Sequence, residues 1–476
     1  MSKLIHVEAS PTKSFFAKML TRDIELRDAI LDLLDNCLDG IVRTKTPRPG
    51  DKTPYAGFHA EITATPQKFV IEDNCGGIPR KVATDVAFRL GRPSDVAREN
   101  LETVGMYGIG MKRAIFKLGR NAVVTSEHAG TRFRVPIGEA WLEDDDNWDL
   151  ELEDQKPTGK SGTRIEVTDL YPEIQREFTK GKSVFLTDTL PTAVRELYAV
   201  IMAKGFKVRL NTDYLDPIEF RLLSSKGKIA GINPYVFQGR FGKVHADIVV
   251  GFYRKPLTEN ELDEENDSPK ADLTQAGWSV ICNDRLILRG DKSAVTGWGT
   301  GSVPRFHNQF SSIAGVVTLR STEPSLLPLN TTKRGIETSS DVYFRLLDYM
   351  REGVKQFTAF TNWWKSRTEE VGSQFHQASS VNAGDIPSGI PKSSYSKVSP
   401  KKLAAEDAEA TVFKPELPRP PKENGDTRRI AFTRPLADIS LLAREMLDDV
   451  DTEPGKVGEA CFDAQLEIYK KAKRRS

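Results

Sequence analysis

The sequence predicts an α+β protein with two mixed domains in succession, a flexible linker and a small helical C-terminus. Three observations carry this reading. Helical and strand-like periodicities alternate through residues 1–215, and strand-like runs dominate 216–372 until a long amphipathic helix closes that part. The composition then turns polar and proline-rich over 373–428, before helical periodicity returns over 429–476.

In the first stretch the pattern predicts a long amphipathic helix near 23–42, strands near 57–73 and a glycine-rich segment over 91–111. Strands near 121–136 and 162–168, a helix near 191–204 and the strand FKVRL complete it. In the second, VHADIVVGFY and WSVICNDRLIL read as strands separated by the acidic loop ENELDEEND, and VYFRLLDYMREGVKQFTAFTNWW reads as the closing helix. Residues 373–428 hold Pro387, Pro391, Pro400, Pro415, Pro418, Pro420 and Pro421 among few apolar side chains. Such a segment buries too little surface to offset its ordering entropy, which predicts a flexible linker. The last stretch, ISLLAREMLDDV and ACFDAQLEIYKKAKRRS, is helical in period and ends in Lys470, Lys471, Lys473, Arg474 and Arg475. No internal repeat stands out.

A chain of 476 residues with 38% hydrophobic side chains has room for about three domains with real cores. Its 68 Lys and Arg balance 67 Asp and Glu, so any nucleic-acid binding has to be local rather than driven by a chain-wide basic field. No apolar run reaches the length of a membrane span, and the start MSKLIHVEASPTKSFF lacks the apolar stretch of a secretory signal. A cytoplasmic location and no membrane partner are expected. Cys37, Cys75, Cys282 and Cys461 are widely spaced, without a CxxC pair, and read as reduced thiols rather than metal ligands.

Three segments carry the chemistry. In the helix LRDAILDLLDNCLDGI, Leu26, Ile30, Leu33, Leu34, Cys37 and Ile41 fall on one side and Asp32, Asp35, Asn36 and Asp39 on the other. An ordinary solvated face looks the same. Yet no Lys or Arg lies between Asp28 and Ile41, and stacked carboxylates repel unless something neutralises them. A bound Mg²⁺, which takes oxygen ligands and keeps several waters, would do so. In FVIEDNCGGIP, a strand run ends in Asp73, Asn74 and Cys75 before Gly76 and Gly77. A carboxylate there can accept a hydrogen bond from a base amino group, although a plain Asp-Asn turn has the same composition. In TVGMYGIGMKRAIFKLG, Gly105, Gly108 and Gly110 precede Met111, Lys112 and an apolar helical run, which is the composition of a phosphate cradle. It is not a P-loop, because Lys112 follows Met111 rather than a glycine. Gly159-Lys160-Ser161 imitates the end of one, but Asp154 stands where its first glycine belongs.

Together, in this order and spacing, these segments resemble the GHKL superfamily of gyrase, ninety-kilodalton heat-shock chaperones, histidine kinases, MutL and MORC proteins. Asp32-x-x-x-Asn36-x-x-Asp39 is similar to its N-box, Asp73 to Gly77 to its adenine-binding turn, and Gly105 to Lys112 to its ATP lid. Ser161-Gly162-Thr163 resembles the motif that completes the base pocket, and the lid spelling with Tyr107 and Lys112 is most like that of MORC-type members. The resemblance covers residues 1 to about 360.

It implies a Bergerat-type two-layer nucleotide domain over 1–215 and a transducer of the ribosomal S5 type over 216–372. It implies ATP and Mg²⁺ as cofactors, with Asn36 coordinating the metal and Asp73 accepting the adenine amino group. Gly77, Ile78 and Thr163 would shape the base pocket, and Gly105, Tyr107, Gly108, Ile109, Gly110, Met111 and Lys112 would hold phosphates. In hydrolysing members a Glu sits four residues before the Asn, where this chain has Asp32. One methylene less lengthens such a contact by about 1 Å, and a misplacement of that size costs up to about 10²-fold in rate, so slow hydrolysis is expected. Lys333, in PLNTTKRGIE, resembles the transducer lysine that reaches the γ-phosphate, whereas CNDRLIL supports the domain without marking a site. The resemblance further implies an ATP-dependent homodimer in which the segment IHVEASPTKSFF crosses to the second protomer. DNA, held by the basic tail and linker lysines, is one expected client; a protein partner at the C-terminal helices, recruited with little turnover, is the alternative. A chaperone-like remodeller would need a larger middle domain. A histidine kinase would need a phosphoacceptor helix upstream of the site.

Overall fold

Helix α2 (Leu26–Thr44) forms because apolar residues recur at helical spacing, and it ends at the extended Lys45. The computed structural model describes residues 12–45, 51–89, 109–225, 231–257, 261, 275–330, 335–365, 367–398, 409–421, 430 and 432–473. They fall in two units, residues 1–419 and 420–476.

Before α2 lies α1 (Lys13–Arg22), capped by the Thr12 hydroxyl, which accepts from the Phe15 amide. Lys13 is buried, and its ammonium donates to the carbonyls of Trp141 at 2.7 Å, Asn147 at 2.5 Å and Asp144. This ties the start of α1 to the acidic loop that begins at the short helix Glu139–Glu143.

After α2 come β1 (His59–Ala64), β2 (Lys68–Asp73), α3 (Gly110–Leu118), β3 (Gly119–His128), β4 (Thr131–Ile137), β5 (Glu153–Gln155) and β6 (Gly162–Leu170). Helices α4 (Leu190–Leu197) and α5 (Ala199–Ala203) then lead into β7 (Lys207–Leu210) and β8 (Asp213–Tyr214). The eight strands make one sheet in the order β5-β4-β3-β6-β2-β1-β7-β8, antiparallel except for β1 with β7. One face presents Ile62, Phe69, Ile71, Val124, Val167 and Val208 to a core shared with Ile30, Leu34 and Ile41 of α2 and Ile115 of α3. Helices on one face of a largely antiparallel sheet are an α+β arrangement, as the sequence predicts.

A second sheet follows β9 (Arg221–Ser224). It contains β10 (Tyr235–Phe241), β11 (Val244–Phe252), β12 (Gly277–Cys282), β13 (Arg285–Asp291) and β14 (Ile313–Arg320), and α6 (Asp341–Trp364) lies across it through Leu346, Met350, Val354 and Phe357. Its order is β13-β12-β14-β11-β10-β17-β16, where β16 is Ser396–Lys397 and β17 is Glu409–Phe413, with β12 and β14 parallel.

The last two strands of that order correct an expectation. The stretch 373–428 does not behave as a flexible linker in its described residues. β15 (Ser379–Asn382) pairs with β9, β16 (Ser396–Lys397) pairs with β17 (Glu409–Phe413), and β17 pairs with β10 over Val236 to Arg240. Ala410, Val412 and Phe413 are buried. A few alternating apolar residues suffice here because a preformed sheet edge supplies the hydrogen bonds and a face to cover, which an average over 56 residues conceals. The second unit contains α7 (Leu436–Leu447) and α8 (Pro454–Lys473), packed on each other with Cys461 Sγ 3.4 Å from Met446 sulfur. Among the described residues no helix is long and apolar enough to cross a membrane.

Candidate functional site

The end of β2 and the start of β6 lie side by side, and this brings Asp73 to Thr163. Asp73 Oδ1 accepts from the amides of Cys75 at 2.7 Å and Thr163 at 3.3 Å, while the Cys37 thiol of α2 sits 3.5 Å from Oδ2. Asp73 is partly buried, and desolvation of its carboxylate raises its pKa, an effect that the Cys75 amide, the Cys37 thiol and the Thr163 amide oppose. An ionised carboxylate has about four acceptor positions, so capacity remains for a ligand N–H.

The turn after Asp73 packs against β3. Gly77 has φ of 71°, and a Cβ there would lie 2.1 Å from the Glu127 carbonyl, so no other residue fits. The next amide, of half-buried Ile78, donates to Ser126 Oγ at 2.7 Å, and that oxygen is 3.1 Å from Thr163 Oγ1. Ser126 thus links the turn to β6, and no sequence motif singles it out. The Glu127 carboxylate accepts from the amides of Thr158 and Gly159, which gives the imitation P-loop a structural role in holding the approach to β6.

On α2 every residue from Ala29 to Val42 is buried except Asn36. Asp32 is buried and paired with Arg113 of α3. The pairing depends on close approach: a Cβ on Gly110 would meet Asp32 Cβ at 3.2 Å. Ile109 is half-buried and Met111 buried. Lys112 is buried too, its ammonium donates to the Ala87 carbonyl at 2.8 Å, and desolvation lowers its pKa to about 8. Gly105, Tyr107, Gly108 and Lys333 lie outside the described residues.

Residues 24–167 match the family of histidine kinase-, DNA gyrase B-, and HSP90-like ATPases. The match supports the GHKL superfamily for this ATPase region, and with it ATP binding. A search of curated proteins finds no match to the chain. The matched span begins just before α2 and ends within β6, so it includes Asp32, Asn36, Asp73, Gly77, Lys112 and Thr163.

Two arginines change how the acidic stripe is read. Asp32 has Arg113, and Asp35 has Arg285 of β13, whose Nε lies 2.7 Å from Asp35 Oδ1 with both side chains buried. The expectation that a bound cation must neutralise the stripe therefore fails for these two carboxylates. Their counter-charges come from other elements, which a count of Lys and Arg within the helix does not include. Among the described residues no group of three or more His, Cys, Asp or Glu side chains is arranged to hold a metal. The exposed carboxamide of Asn36 still fits Mg²⁺ of the kind that keeps its waters and takes its other oxygens from a nucleotide. Arg285 had one legible signal, as a lone cation in the apolar run WSVICNDRLIL. Arg113 had none beyond its place beside Lys112.

Proposed function

We propose that this protein is a slow ATPase that works as a nucleotide-gated clamp: two chains associate when ATP is bound and separate after hydrolysis. The observation that carries the nucleotide part is the partly buried Asp73 carboxylate, held by the amides of Cys75 and Thr163 beside Cys37 of α2, the residue after exposed Asn36. Asp73 accepts the base amino group, Thr163 and Ile78 border the base, and Asn36 contributes an oxygen to the metal. Mg-ATP, when bound, supplies the γ-phosphoryl group and the ion that balances its charge. Asp32 orients the attacking water, and Arg113 fixes the carboxylate's direction, which suits slow, controlled turnover. Lys112 and Lys333 serve as phosphate contacts, and the second sheet acts as the transducer. DNA is the favoured client, in the manner of MORC- and MutL-like proteins, with its affinity falling steeply as salt rises.

A second reading, a nucleotide-gated scaffold with little turnover, is favoured by the Asp32–Arg113 pair, because a carboxylate held by a guanidinium is not free to turn toward a water. ATPase rates with and without duplex DNA at two salt concentrations separate the two, together with crosslinking in a non-hydrolysable ATP analogue. DNA stimulation that vanishes at high salt, with analogue-dependent dimers, supports the clamp. A chain that stays monomeric at saturating analogue is no clamp, and turnover unchanged by Asp32→Asn removes Asp32 from the chemistry.

A further inference from the structure

The β12–β13 hairpin turns through Asn283 and Asp284, at φ of 46° and 64°, the left-handed pair of a two-residue turn. Asn283, Asp284 and Arg285 point in two directions. Asn283 is bound to its own sheet: its amide donates to the Leu319 carbonyl at 2.9 Å, and its carboxamide exchanges bonds with Ser321 at 3.0 Å. Asp284 and Arg285 reach into the ATPase region instead. Asp284 accepts from Tyr55 Oη at 2.9 Å and from Lys204 Nζ at 2.7 Å, with Arg320 of its own sheet at 3.3 Å. Arg285 pairs with Asp35 at 2.7 Å, with its guanidinium 5.7 Å from the centre of the Tyr198 ring.

Tyr198 completes the arrangement. Its hydroxyl offers a single proton to Asp35 Oδ1 and to the Leu31 carbonyl, each at 2.7 Å. Leu31 precedes Asp32, and Asp35 precedes Asn36. The turn of α2 that carries both site residues is therefore held through Asp35 by a residue of the second sheet. A well-packed apolar pair in place of a buried ion pair is often as stable, so stability alone does not call for charges at this position. Directional contacts inside a rigid helix do transmit displacement: a shift of β13 that moves Asp35 also moves Asp32 and Asn36.

We propose that Arg285 is a positioning residue that couples the nucleotide helix to the second sheet, so that ATP binding at α2 is read by the β12–β13 hairpin. This rests on the reading of α2 as part of the ATP site. The test compares the full chain, Arg285→Lys, and the apolar pair Arg285→Met with Asp35→Leu. Each is measured for affinity toward a non-hydrolysable ATP analogue, for kcat and KM, and for hydrogen exchange of residues 277–291 with and without analogue. In the full chain, analogue binding changes exchange in the hairpin. In the apolar pair the affinity stays within about threefold, while the exchange response is lost and kcat falls about tenfold with KM little changed. Arg285→Lys recovers part of both, and it carries the test alone if the apolar pair does not fold. Full-chain protein that does not bind the analogue removes the ATP reading and this inference with it. Binding without any exchange change in the hairpin, or an exchange response and kcat that persist in the variants, overturns the coupling and leaves the ATP reading standing.

Discussion

Arg113 and Asp32 join the first turn of α3 to the middle of α2 through an ion pair in which the carboxylate side chain is 7% exposed and the guanidinium 18%. The residue beside Lys112, the proposed phosphate contact, thus holds Asp32, the proposed water-orienting residue. A double-mutant cycle over Arg113→Met and Asp32→Asn should give a coupling of about 1–3 kcal/mol in urea unfolding. Additive losses would mean that the two side chains are neighbours without being partners.

Asp32→Asn should lower kcat at least about tenfold and leave ATP affinity within a few-fold, because it removes a proton acceptor and keeps the shape. Asp32→Glu restores the missing methylene and should raise kcat by up to about 10²-fold. Steady-state ATPase kinetics check both. A glutamate variant slower than the parent would show that the helix already sits close enough for aspartate.

Asp73→Asn keeps the volume but offers only one acceptor oxygen, and should weaken ATP binding about 10- to 100-fold, the range for a hydrogen bond to a charged group. Because Asp73 also accepts from Cys75 and Thr163, calorimetry of nucleotide binding should be paired with a melting curve.

Lys112 gives a pH dependence with a definite sign. Its pKa is lowered to about 8, so it is charged below that pH and loses its proton above it. A polyphosphate favours the charged form. ATP affinity should therefore be flat below about pH 8 and decline above it, with proton uptake on binding. The same depressed pKa makes folding stability rise with pH from about 8 toward the ordinary lysine value, because the unfolded chain holds more protons in that window. Lys112→Met should abolish both slopes, measured by calorimetry in buffers of different ionisation enthalpy and by urea unfolding across pH.

Ending the chain before Glu409 removes β17 and uncovers the edge of β10. Such a protein should be less stable and self-associate, whereas one ending after Pro421 should not. Sedimentation and thermal melts distinguish the two.

The sequence by itself determined the α+β class, the helix bearing Asp32 and Asn36, the Asp73 turn, and the identity of the glycines. Each is a local property: a period of 3.6 or 2, a turn that only glycine can make, or a spacing within one element. Tertiary structure alone decided how the acidic stripe is neutralised. Arg113 is 81 residues from Asp32, and Arg285 is on β13 of the second sheet whereas Asp35 is on α2. Charge balance in a folded chain is set by neighbours in space. The proline-rich stretch was hidden for the same reason: β17 becomes a strand because the edge of β10 pairs with it, a contribution its own composition does not record.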